Sequence, residues 1–369
     1  MPLARSAATV LHAYNEPVEV REFEVPDPDD DALVVKVEAS TMCGTDVHMH
    51  AGDLVPFSRL PVIMGHEIVG RVAALGKNRV TDAVDRPLAE GDLVAWSYAW
   101  CGHCYWCTVA RQPTLCSNAR MYGWGPANEF PYVTGGFAEY AYIMPQCKVV
   151  KVPENLDPAL AASSTCSFRT VMHGFEALGP VSTIDTILVQ GSGPVGLYAT
   201  AVAAQSGARQ VLVIGAPDDR LQIARHWGAT DTFNVLETEA AQRKEQILAL
   251  TDRRGPDIVI ECSGAGPAFP EGLDLVRKGG RYLIIGQADP RPQNVSGTIF
   301  NMKQINVMGV LSADIPHYYK ALNFLADHQD KYPFHELLGN RYTLNTVNDA
   351  LASMGAHRET KPVILPQAA

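Results

Sequence analysis

Short runs of alternating apolar and polar residues dominate the first third of the chain. They include A-L-V-V-K-V-E-A (32–39), I-V-G-R-V-A-A-L (68–75) and D-L-V-A-W (92–96), with Gly, Pro and Asp residues between them. Successive side chains of a strand point to opposite faces, so closely spaced runs of this kind are typical of antiparallel strands. We therefore predict a mostly antiparallel barrel or sandwich for this part of the chain.

The pattern changes near residue 155, beyond which short apolar runs alternate with longer helical patterns. Because strand, helix and parallel strand form the repeating unit of an α/β fold, this alternation predicts a doubly wound parallel sheet. The residues from 315 onward return to a mixture of helix and strand, and we expect them to rejoin the first domain. The predicted strands of the parallel sheet are 186–190, 211–214, 257–262, 280–286 and 305–310.

Composition narrows the class of protein. The 369 residues are 47% hydrophobic and 19% charged, which suffices for buried cores in about two domains. The net charge is −10 without a run of Lys or Arg, so no nucleic-acid or membrane partner is expected. The N-terminus lacks the apolar core of a signal peptide, and no apolar run reaches the ~18 residues of a membrane span. We expect a cytoplasmic protein, in which clustered cysteines serve as metal ligands before disulfides.

A glycine-rich turn follows the first strand of the parallel sheet. The sequence Gly191-Ser192-Gly193-Pro194-Val195-Gly196 fits G-x-G-x-x-G between a predicted strand and a predicted helix. In that context the glycines allow a tight turn and a close approach to a pyrophosphate, which the helix N-terminus then attracts. We predict a dinucleotide-binding turn; the alternative is a plain glycine-rich connection.

The residue at the end of the next strand determines how the adenosine ribose of the cofactor is bound. NAD-binding proteins commonly have an Asp or Glu there, whereas this chain has Gly215. The missing carboxylate removes repulsion against the 2′-phosphate of NADP, but Asp218 and Asp219 add negative charge nearby. Arg220 is the only obvious cation and could serve the ribose of either cofactor. The balance slightly favours NAD over NADP.

Two sets of cysteine and histidine residues suggest zinc. Cys101, Cys104, Cys107 and Cys116 have the spacing of a closed tetrahedral site, which stabilises a fold but has no place for a substrate. Four buried reduced thiols are the alternative. The more scattered Cys43, His66 and Cys166 could form the open Cys₂His set of a catalytic zinc, although single residues of these types are often structural. Cys147 and Cys262 look like ordinary buried thiols.

Together these motifs resemble those of the zinc-dependent medium-chain alcohol dehydrogenases. The resemblance covers essentially the whole chain and rests on Cys43-Gly44-Thr45-Asp46, on Gly65-His66-Glu67-Ile68-Val69-Gly70, on the four-cysteine lobe and on the glycine-rich turn. It implies a GroES-like catalytic domain (1–155 and 315–369, with a structural-zinc lobe at about 97–125) and a Rossmann domain (156–314). It also implies two zinc ions per subunit and a homodimer or homotetramer.

The resemblance also implies roles for single residues. Zinc at Cys43, His66 and Cys166 would bind the alcohol oxygen, Thr45 would accept its proton, and a relay would lead to His48. In addition, Asp46 would orient His66, and Glu67 would lie beside the metal. The residues implied in cofactor binding are Gly191, Gly193, Pro194, Val195, Gly196, Gly215, Arg220, Thr170 and Lys361.

The expected activity is hydride transfer between an alcohol and a nicotinamide cofactor. Aromatic residues around the lobe favour a secondary, bulky or cyclic alcohol, unless they pack the core instead. The form Cys-Gly-Thr-Asp-x-His resembles the polyol and threonine dehydrogenases, which leaves a polyol or amino-alcohol substrate as the alternative. A non-catalytic zinc- and nucleotide-binding redox sensor is a more remote one. The sequence also has extra residues at 76–92, for which we expect an exposed loop.

Overall fold

We analysed the protein in a computed structural model, which describes residues 4–55, 58–286 and 291–368. The chain divides into two compact units. The first comprises Met1–Arg169, Ala313–Asp327 and Leu337–Ala369, and the second comprises Thr170–Ser312 and His328–Glu336. Within the described residues, no helix has both the length and the apolar character needed to cross a membrane.

The regular elements are numbered in chain order. The strands are β1 (Ala4–Leu11), β2 (Glu19–Val25), β3 (Leu33–Thr41), β4 (Val62–Ile63), β5 (Glu67–Leu75), β6 (Leu93–Trp96), β7 (Tyr140–Ile143), β8 (Val149–Lys151), β9 (Thr186–Gln190), β10 (Gln210–Gly215), β11 (Asp231–Asn234), β12 (Ile258–Glu261), β13 (Arg281–Ile284), β14 (Asn306–Gly309), β15 (Arg341–Tyr342) and β16 (Val363–Ile364). The helices are α1 (Gly44–Ala51), α2 (Tyr105–Thr108), α3 (Pro158–Ser163), α4 (Arg169–Leu178), α5 (Pro194–Gln205), α6 (Asp218–His226), α7 (Ala240–Leu250), α8 (Ala268–Leu275), α9 (Thr298–Lys303), α10 (Ile315–His328) and α11 (Val347–Gly355).

The first unit is built on antiparallel pairing. One sheet has the order β2-β1-β4, and the other has the order β15-β16-β3-β5-β6-β8, with β7 also paired to β3. The three strands predicted in the first hundred residues lie in β3, β5 and β6. Apolar side chains of β3 such as Leu33, Val35 and Val37 are fully buried, as their alternation predicts. The late strand β16 pairs with β3, so the end of the chain completes the seven-stranded sheet of the first unit.

The second unit is a parallel sheet in the order β11-β10-β9-β12-β13-β14. This is the doubly wound arrangement, in which the chain proceeds outward from β9 in one direction and from β12 in the other. The predicted fold class, an α/β dinucleotide-type sheet with a separate, mostly antiparallel GroES-like domain, is confirmed. The short strand β11 was not among the predicted strands because its sequence D-T-F-N has a single buried apolar residue, Phe233.

Candidate active site and metal centres

The structure brings together Cys43, His66, Glu67 and Cys166, whose ligand atoms all lie within 4.8 Å of one another. Their elements explain this convergence. Cys43 follows β3 and precedes α1, while His66 directly precedes β5, and the antiparallel pairing sets Thr41 opposite Glu67. Cys166 is contributed by a π-helical turn, Ser164–Phe168. π-Helical turns occur frequently at functional sites, because the extra residue redirects a side chain.

The donor set fits a zinc ion. Two thiols and an imidazole are ligands that zinc prefers, and His66 and Glu67 are buried. The hydrogen bond with Cys166 holds the pKa of the Cys43 thiol well below its usual range, while the same contact and burial raise that of Cys166. The pair therefore favours one thiolate even before a cation is added.

Asp46 connects two of the proposed ligands. It is fully buried, and its Oδ2 accepts a hydrogen bond from the Cys43 backbone N–H at 2.8 Å. Its Oδ1 accepts from the Gly65 N–H at 3.2 Å and lies 3.4 Å from Nδ1 of His66. Burial alone would lower the pKa of His66, but the Asp46 carboxylate raises it well above the usual value. A carboxylate in this position fixes the orientation of the imidazole ring.

Glu67 and Lys361 form a buried ion pair. Nζ of Lys361 donates to Oε1 of Glu67 at 2.5 Å, and the Thr41 hydroxyl donates to Oε2. Burial acts to raise the pKa of Glu67, and the ammonium group of Lys361 opposes that shift by stabilising the carboxylate. Sequence reasoning assigned Lys361 to the cofactor and missed this pair, since a contact across 294 residues leaves no local signal.

Thr45 and His48, the residues proposed for proton transfer, both lie on α1. Oγ1 of Thr45 is 3.7 Å from Sγ of Cys43. The side chain of His48 is 55% exposed, and its Nδ1 lies 2.8 Å from Oδ2 of Asp53. The helix therefore begins at a proposed ligand and carries an imidazole that faces solvent.

The second cysteine cluster lies in a lobe with little regular structure. The sulfur atoms of Cys101, Cys104, Cys107 and Cys116 lie within 4.8 Å of one another. Cys104 Sγ is 3.6 Å from Cys107 Sγ and 3.9 Å from Cys116 Sγ. Four sulfur donors at these separations fit a closed tetrahedral zinc site. His103, between the first two cysteines, is exposed.

The glycine-rich turn connects β9 to α5. Gly191 has φ of +114°, and a Cβ there would lie 2.9 Å from backbone atoms of Ser263. A Cβ at Gly196 would lie 1.9 Å from the Gly191 oxygen, so helix and strand approach as closely as the motif requires. Gly193 caps α5 and Pro194 is its first residue, which suits a ring with fixed φ.

The strand end at Gly215 is occupied by a neighbouring side chain. A Cβ on Gly215 would lie 2.4 Å from Oγ of Ser192, and that hydroxyl accepts from the Ala216 N–H at 3.1 Å. Arg220 lies in the first turn of α6, where burial lowers its pKa and the Asp219 carboxylate opposes that shift. Thr170, the remaining proposed cofactor residue, is half-buried on α4.

Aromatic side chains surround a small cavity beside His66. Trp96, Tyr98, Tyr122 and Tyr318 line it, and its volume of about 10 Å³ holds at most one water molecule. Tyr98 and Tyr318 also enclose the guanidinium of Arg169, with ring centroids at 4.9 and 4.8 Å. This cavity is too small for an alcohol, and these aromatic residues are buried. They pack the core around the site.

Comparisons with known proteins agree with this geometry. Residues 29–154 match the alcohol dehydrogenase GroES-like domain, and residues 194–327 match the zinc-binding dehydrogenase domain. A 5-exo-hydroxycamphor dehydrogenase of Pseudomonas putida is 35% identical over 99% of both chains. An L-threonine 3-dehydrogenase of Deinococcus deserti is 34% identical over 71% of this chain and 72% of its own.

Solved structures give the same result. An alcohol dehydrogenase of Thermotoga maritima superimposes with a TM-score of 0.92 at 32% identity, covering 99% of this chain and 100% of its own. A zinc-binding dehydrogenase of Sinorhizobium meliloti, bound to NADP, superimposes with a TM-score of 0.85 at 26% identity, covering 98% and 100%.

Proposed function

Because the chain belongs to the zinc-type medium-chain alcohol dehydrogenases, and is thus an oxidoreductase of alcohols or polyols, we propose that it oxidises a bulky, cyclic secondary alcohol to a ketone. The hydroxycamphor dehydrogenase that matches nearly the whole chain supports this class of substrate. The convergence of Cys43, His66, Glu67 and Cys166, with their ligand atoms within 4.8 Å of one another, is the observation that carries the proposal. The division into a catalytic and a cofactor-binding domain belongs to the same proposal.

In this proposal Cys43, His66 and Cys166 hold a catalytic zinc ion. When bound, the ion supplies a Lewis acid that stabilises the alkoxide form of the alcohol. Asp46 keeps the His66 ring in the orientation for binding the ion. Lys361 fixes the position of the Glu67 side chain by pairing with it. Cys101, Cys104, Cys107 and Cys116 hold the second, structural zinc ion.

The reaction moves one hydride and one proton. A nicotinamide cofactor held at the Gly191–Gly196 turn would supply the hydride acceptor, and loss of the hydride would leave the carbinol carbon as a carbonyl group. Thr45, adjacent to Cys43, accepts the hydroxyl proton in a hydrogen bond, and His48 passes it to solvent. The exposure of the His48 ring supports its place as the last proton carrier.

The cofactor is proposed to bind at the Gly191–Gly196 turn, with weak discrimination between NAD and NADP. The end of β10 has no carboxylate to bind the ribose hydroxyls of NAD or to repel a 2′-phosphate. Arg220 supplies a positive charge near this strand end. The negative charges of Asp218 and Asp219 oppose the binding of a 2′-phosphate, so NADP is not strongly favoured. In the double variant Ser192→Gly/Gly215→Asp, loss of the Ser192 side chain makes room for an aspartate at the strand end. The ratio of kcat/KM with NAD to kcat/KM with NADP should rise at least tenfold over that of the wild type.

We further propose that the protein forms a homodimer or homotetramer in the cytoplasm. The outer edge strand β14 exposes Val307, and Leu311 beyond it is 64% exposed, so a second copy could pair with this edge. A reducing compartment would keep the cysteines available as zinc ligands.

An initial-rate screen tests the proposed function. Borneol, hydroxycamphor and cyclohexanol would be compared with sorbitol and L-threonine, each with NAD and with NADP, and zinc would be measured per chain. We expect two zinc ions per chain and the highest kcat/KM for a cyclic secondary alcohol. A preference for threonine or sorbitol would contradict the substrate class and favour the polyol or amino-alcohol alternative. One zinc ion per chain and no turnover would contradict the enzyme mechanism.

A further inference from the structure

The carboxyl ends of β9 and β12 meet at the centre of the parallel sheet. These neighbouring strands are the point from which the chain winds outward in opposite directions. In open α/β sheets, ligands bind outside the carboxyl ends of the strands at such a point. The end of β9 carries the Gly191–Gly196 turn, whereas the end of β12 carries a second turn, Cys262–Ala265, to which no role has been given.

A single buried carboxylate organises this second turn. Glu261, the last residue of β12, is fully buried, and its Oε1 accepts hydrogen bonds from the Ser263 N–H (2.7 Å), the Ser263 hydroxyl (2.6 Å) and the Gly264 N–H (2.8 Å). Oγ of Ser263 in turn accepts from the Ala265 N–H at 3.1 Å. Within the described residues, Oε2 of Glu261 is buried without a hydrogen-bond partner. The hydrogen bonds of this carboxylate therefore go to the turn.

The turn is held between two glycines. A Cβ on Gly191 would lie 2.9 Å from the Cα and N atoms of Ser263, and a Cβ on Gly286 would lie 2.3 Å from the carbonyl carbon of Cys262. Backbone therefore contacts backbone on both sides, with no side chain to absorb a displacement. A shift of the Cys262–Ala265 turn by a few tenths of an ångström would be transmitted to Gly191.

The hydrogen bonds also determine which groups the turn can offer to a ligand. The N–H groups of Ser263 and Gly264 point to the carboxylate and offset its charge, so they are not available to a phosphate. Of these two described turns, the one that leaves N–H groups for an anion is therefore Ser192–Gly196, at the N-terminus of α5. The Cys262–Ala265 turn therefore contributes shape rather than hydrogen-bond donors to this edge of the sheet.

We infer that Glu261 is a positioning residue for the dinucleotide: it holds the Cys262–Ala265 turn against Gly191 and so fixes the shape of the cofactor site. The inference rests on the proposed function, since it requires NAD or NADP to bind at the glycine-rich turn. It assigns Glu261 no contact with the substrate or with the proposed metal ligands.

The test is equilibrium binding of NADH and NADPH to the full-length, zinc-loaded protein, followed by nucleotide fluorescence. Glu261→Ala should raise the Kd about tenfold, because three hydrogen bonds to one oxygen are lost. Ser263→Ala should raise the Kd about threefold, since it removes one of the three bonds to Glu261 and the bond from the Ala265 N–H. Glu261→Gln keeps an oxygen acceptor of the same reach and should stay within threefold of the wild type. With saturating cofactor, kcat and the KM for alcohol should change less than twofold in each variant.

Glu271→Gln is the matched control. Glu271 lies on α8 in the same unit and forms a largely buried ion pair with Arg243 at 2.8 Å. This variant should lower the melting temperature and leave the Kd unchanged. A rise in Kd equal to that of Glu261→Ala would overturn the inference, because general loosening would then explain both.

The remaining outcomes separate the inference from the proposed function. If Glu261→Ala and Ser263→Ala fold and bind the nucleotide like the wild type, the inference is wrong. If Glu261→Ala does not fold, Ser263→Ala decides in the same way, since an exchange of hydroxyl for hydrogen leaves the backbone path intact. If the wild type binds neither NADH nor NADPH, the proposed function fails, and the inference fails with it.

Discussion

Glu67 is a fully buried carboxylate whose two oxygens accept hydrogen bonds from Lys361 and Thr41. A buried pair of charges is costly to form, yet removing one partner is costlier, because the other charge remains without compensation. The carboxylate lies among the proposed zinc ligands, so its partner also influences the charge of that centre. Burial would lower the pKa of Lys361, but the Glu67 carboxylate raises it, and the lysine stays charged.

Replacement of the lysine tests this pair. Lys361→Met should lower the free energy of unfolding by about 3–5 kcal/mol, because Glu67 is then buried without a cation. Urea denaturation measures the change, and Lys361→Met/Glu67→Gln should recover most of it. The exposed pair of Lys77 and Asp30 is the control, and Lys77→Met should cost less than about 1 kcal/mol. Equal losses at both sites would contradict the buried pair.

A second prediction concerns the proposed catalytic ligands. Cys43→Ser should reduce zinc from two ions per chain to one, because a serine hydroxyl is a poor zinc ligand at neutral pH. Alcohol oxidation should fall at least a thousandfold, since the Lewis acid is lost. Cys147→Ser is the control: this buried thiol lies outside both cysteine clusters, and two zinc ions should remain. Elemental analysis and initial rates check both, and full zinc retention by Cys43→Ser would refute the assignment.

At the scale of elements, the loop between β5 and β6 is more ordered than its sequence suggests. Residues 76–92 were expected to form an exposed loop, and much of the segment is exposed, but Asp82 is buried within it. Its carboxylate accepts from the backbone N–H groups of Val84 and Arg86 (both 3.0 Å) and Lys151 (3.1 Å), and it also pairs with the Arg86 side chain. One side chain thus fastens the loop to β8.

This arrangement predicts a pH-dependent loss of stability. Burial would raise the pKa of Asp82, but hydrogen bonds from Arg86, Lys151 and Val84 lower it below the usual value. Its stabilising effect is therefore present above about pH 4 and is lost as the pH falls through the lowered pKa. Asp82→Asn should cost about 2 kcal/mol at pH 7, and that difference should shrink in acid. The exposed Asp85→Asn, in the same loop, should cost less than about 0.5 kcal/mol at any pH.

The four-cysteine lobe is the element that we expect to depend most on the proposed structural zinc ion. Its regular structure is limited to the four residues of α2 and the 3₁₀ turn Pro113–Leu115, which cannot form a core alone. Cys104→Ser should therefore lower the melting temperature by several degrees and remove one zinc ion per chain. His103→Ala, an exposed change between two cysteines, should do neither. An unchanged melting temperature for Cys104→Ser would contradict a structural role.

The sequence predicted these elements well where the signal is local. Alternation gave β3, β5 and β6, and the succession of strand, glycine-rich turn and helix gave β9 and α5, because each depends on neighbours in the chain. Residue types made Cys43, His66 and Cys166 candidates for a zinc site, but only the family resemblance favoured this set over structural roles, since Cys43 and Cys166 are far apart in sequence. Lys361 beside Glu67 and the burial of Asp82 could not be predicted, because they depend on packing between distant segments.

At the scale of the whole molecule, the edge of the parallel sheet is the place that we propose for self-association. β14 pairs with β13 on one side, and no other strand of the described residues pairs with it. Nearby, Val307 is 36% exposed, Leu311 64% and Met302 71%. An apolar edge strand of this kind favours pairing with the same strand of a second copy, which closes a twofold assembly.

Charges on this edge should prevent the assembly. Val307→Lys/Leu311→Lys should reduce the mass measured by light scattering from that of an oligomer towards that of a smaller assembly or monomer, because lysines on an edge strand oppose pairing. Val20→Lys provides the comparison, since Val20 is 40% exposed on β2, at the edge of a different sheet. If Val307→Lys/Leu311→Lys keeps the wild-type mass, as Val20→Lys should, β14 is not the interface.

The pairing of Lys361 with Glu67 also has a consequence for the order in which the protein can be made. The two residues are separated by 294 positions, and the strand after Lys361, β16, must add to β3. The whole of the parallel sheet is synthesised between them, so it can fold on the ribosome while the first unit still lacks its last strands. Until Lys361 has been synthesised, Glu67 lacks the ammonium group with which it pairs in the folded protein. The charge pair beside the proposed metal ligands is thus completed only late in synthesis, after the parallel sheet has been produced.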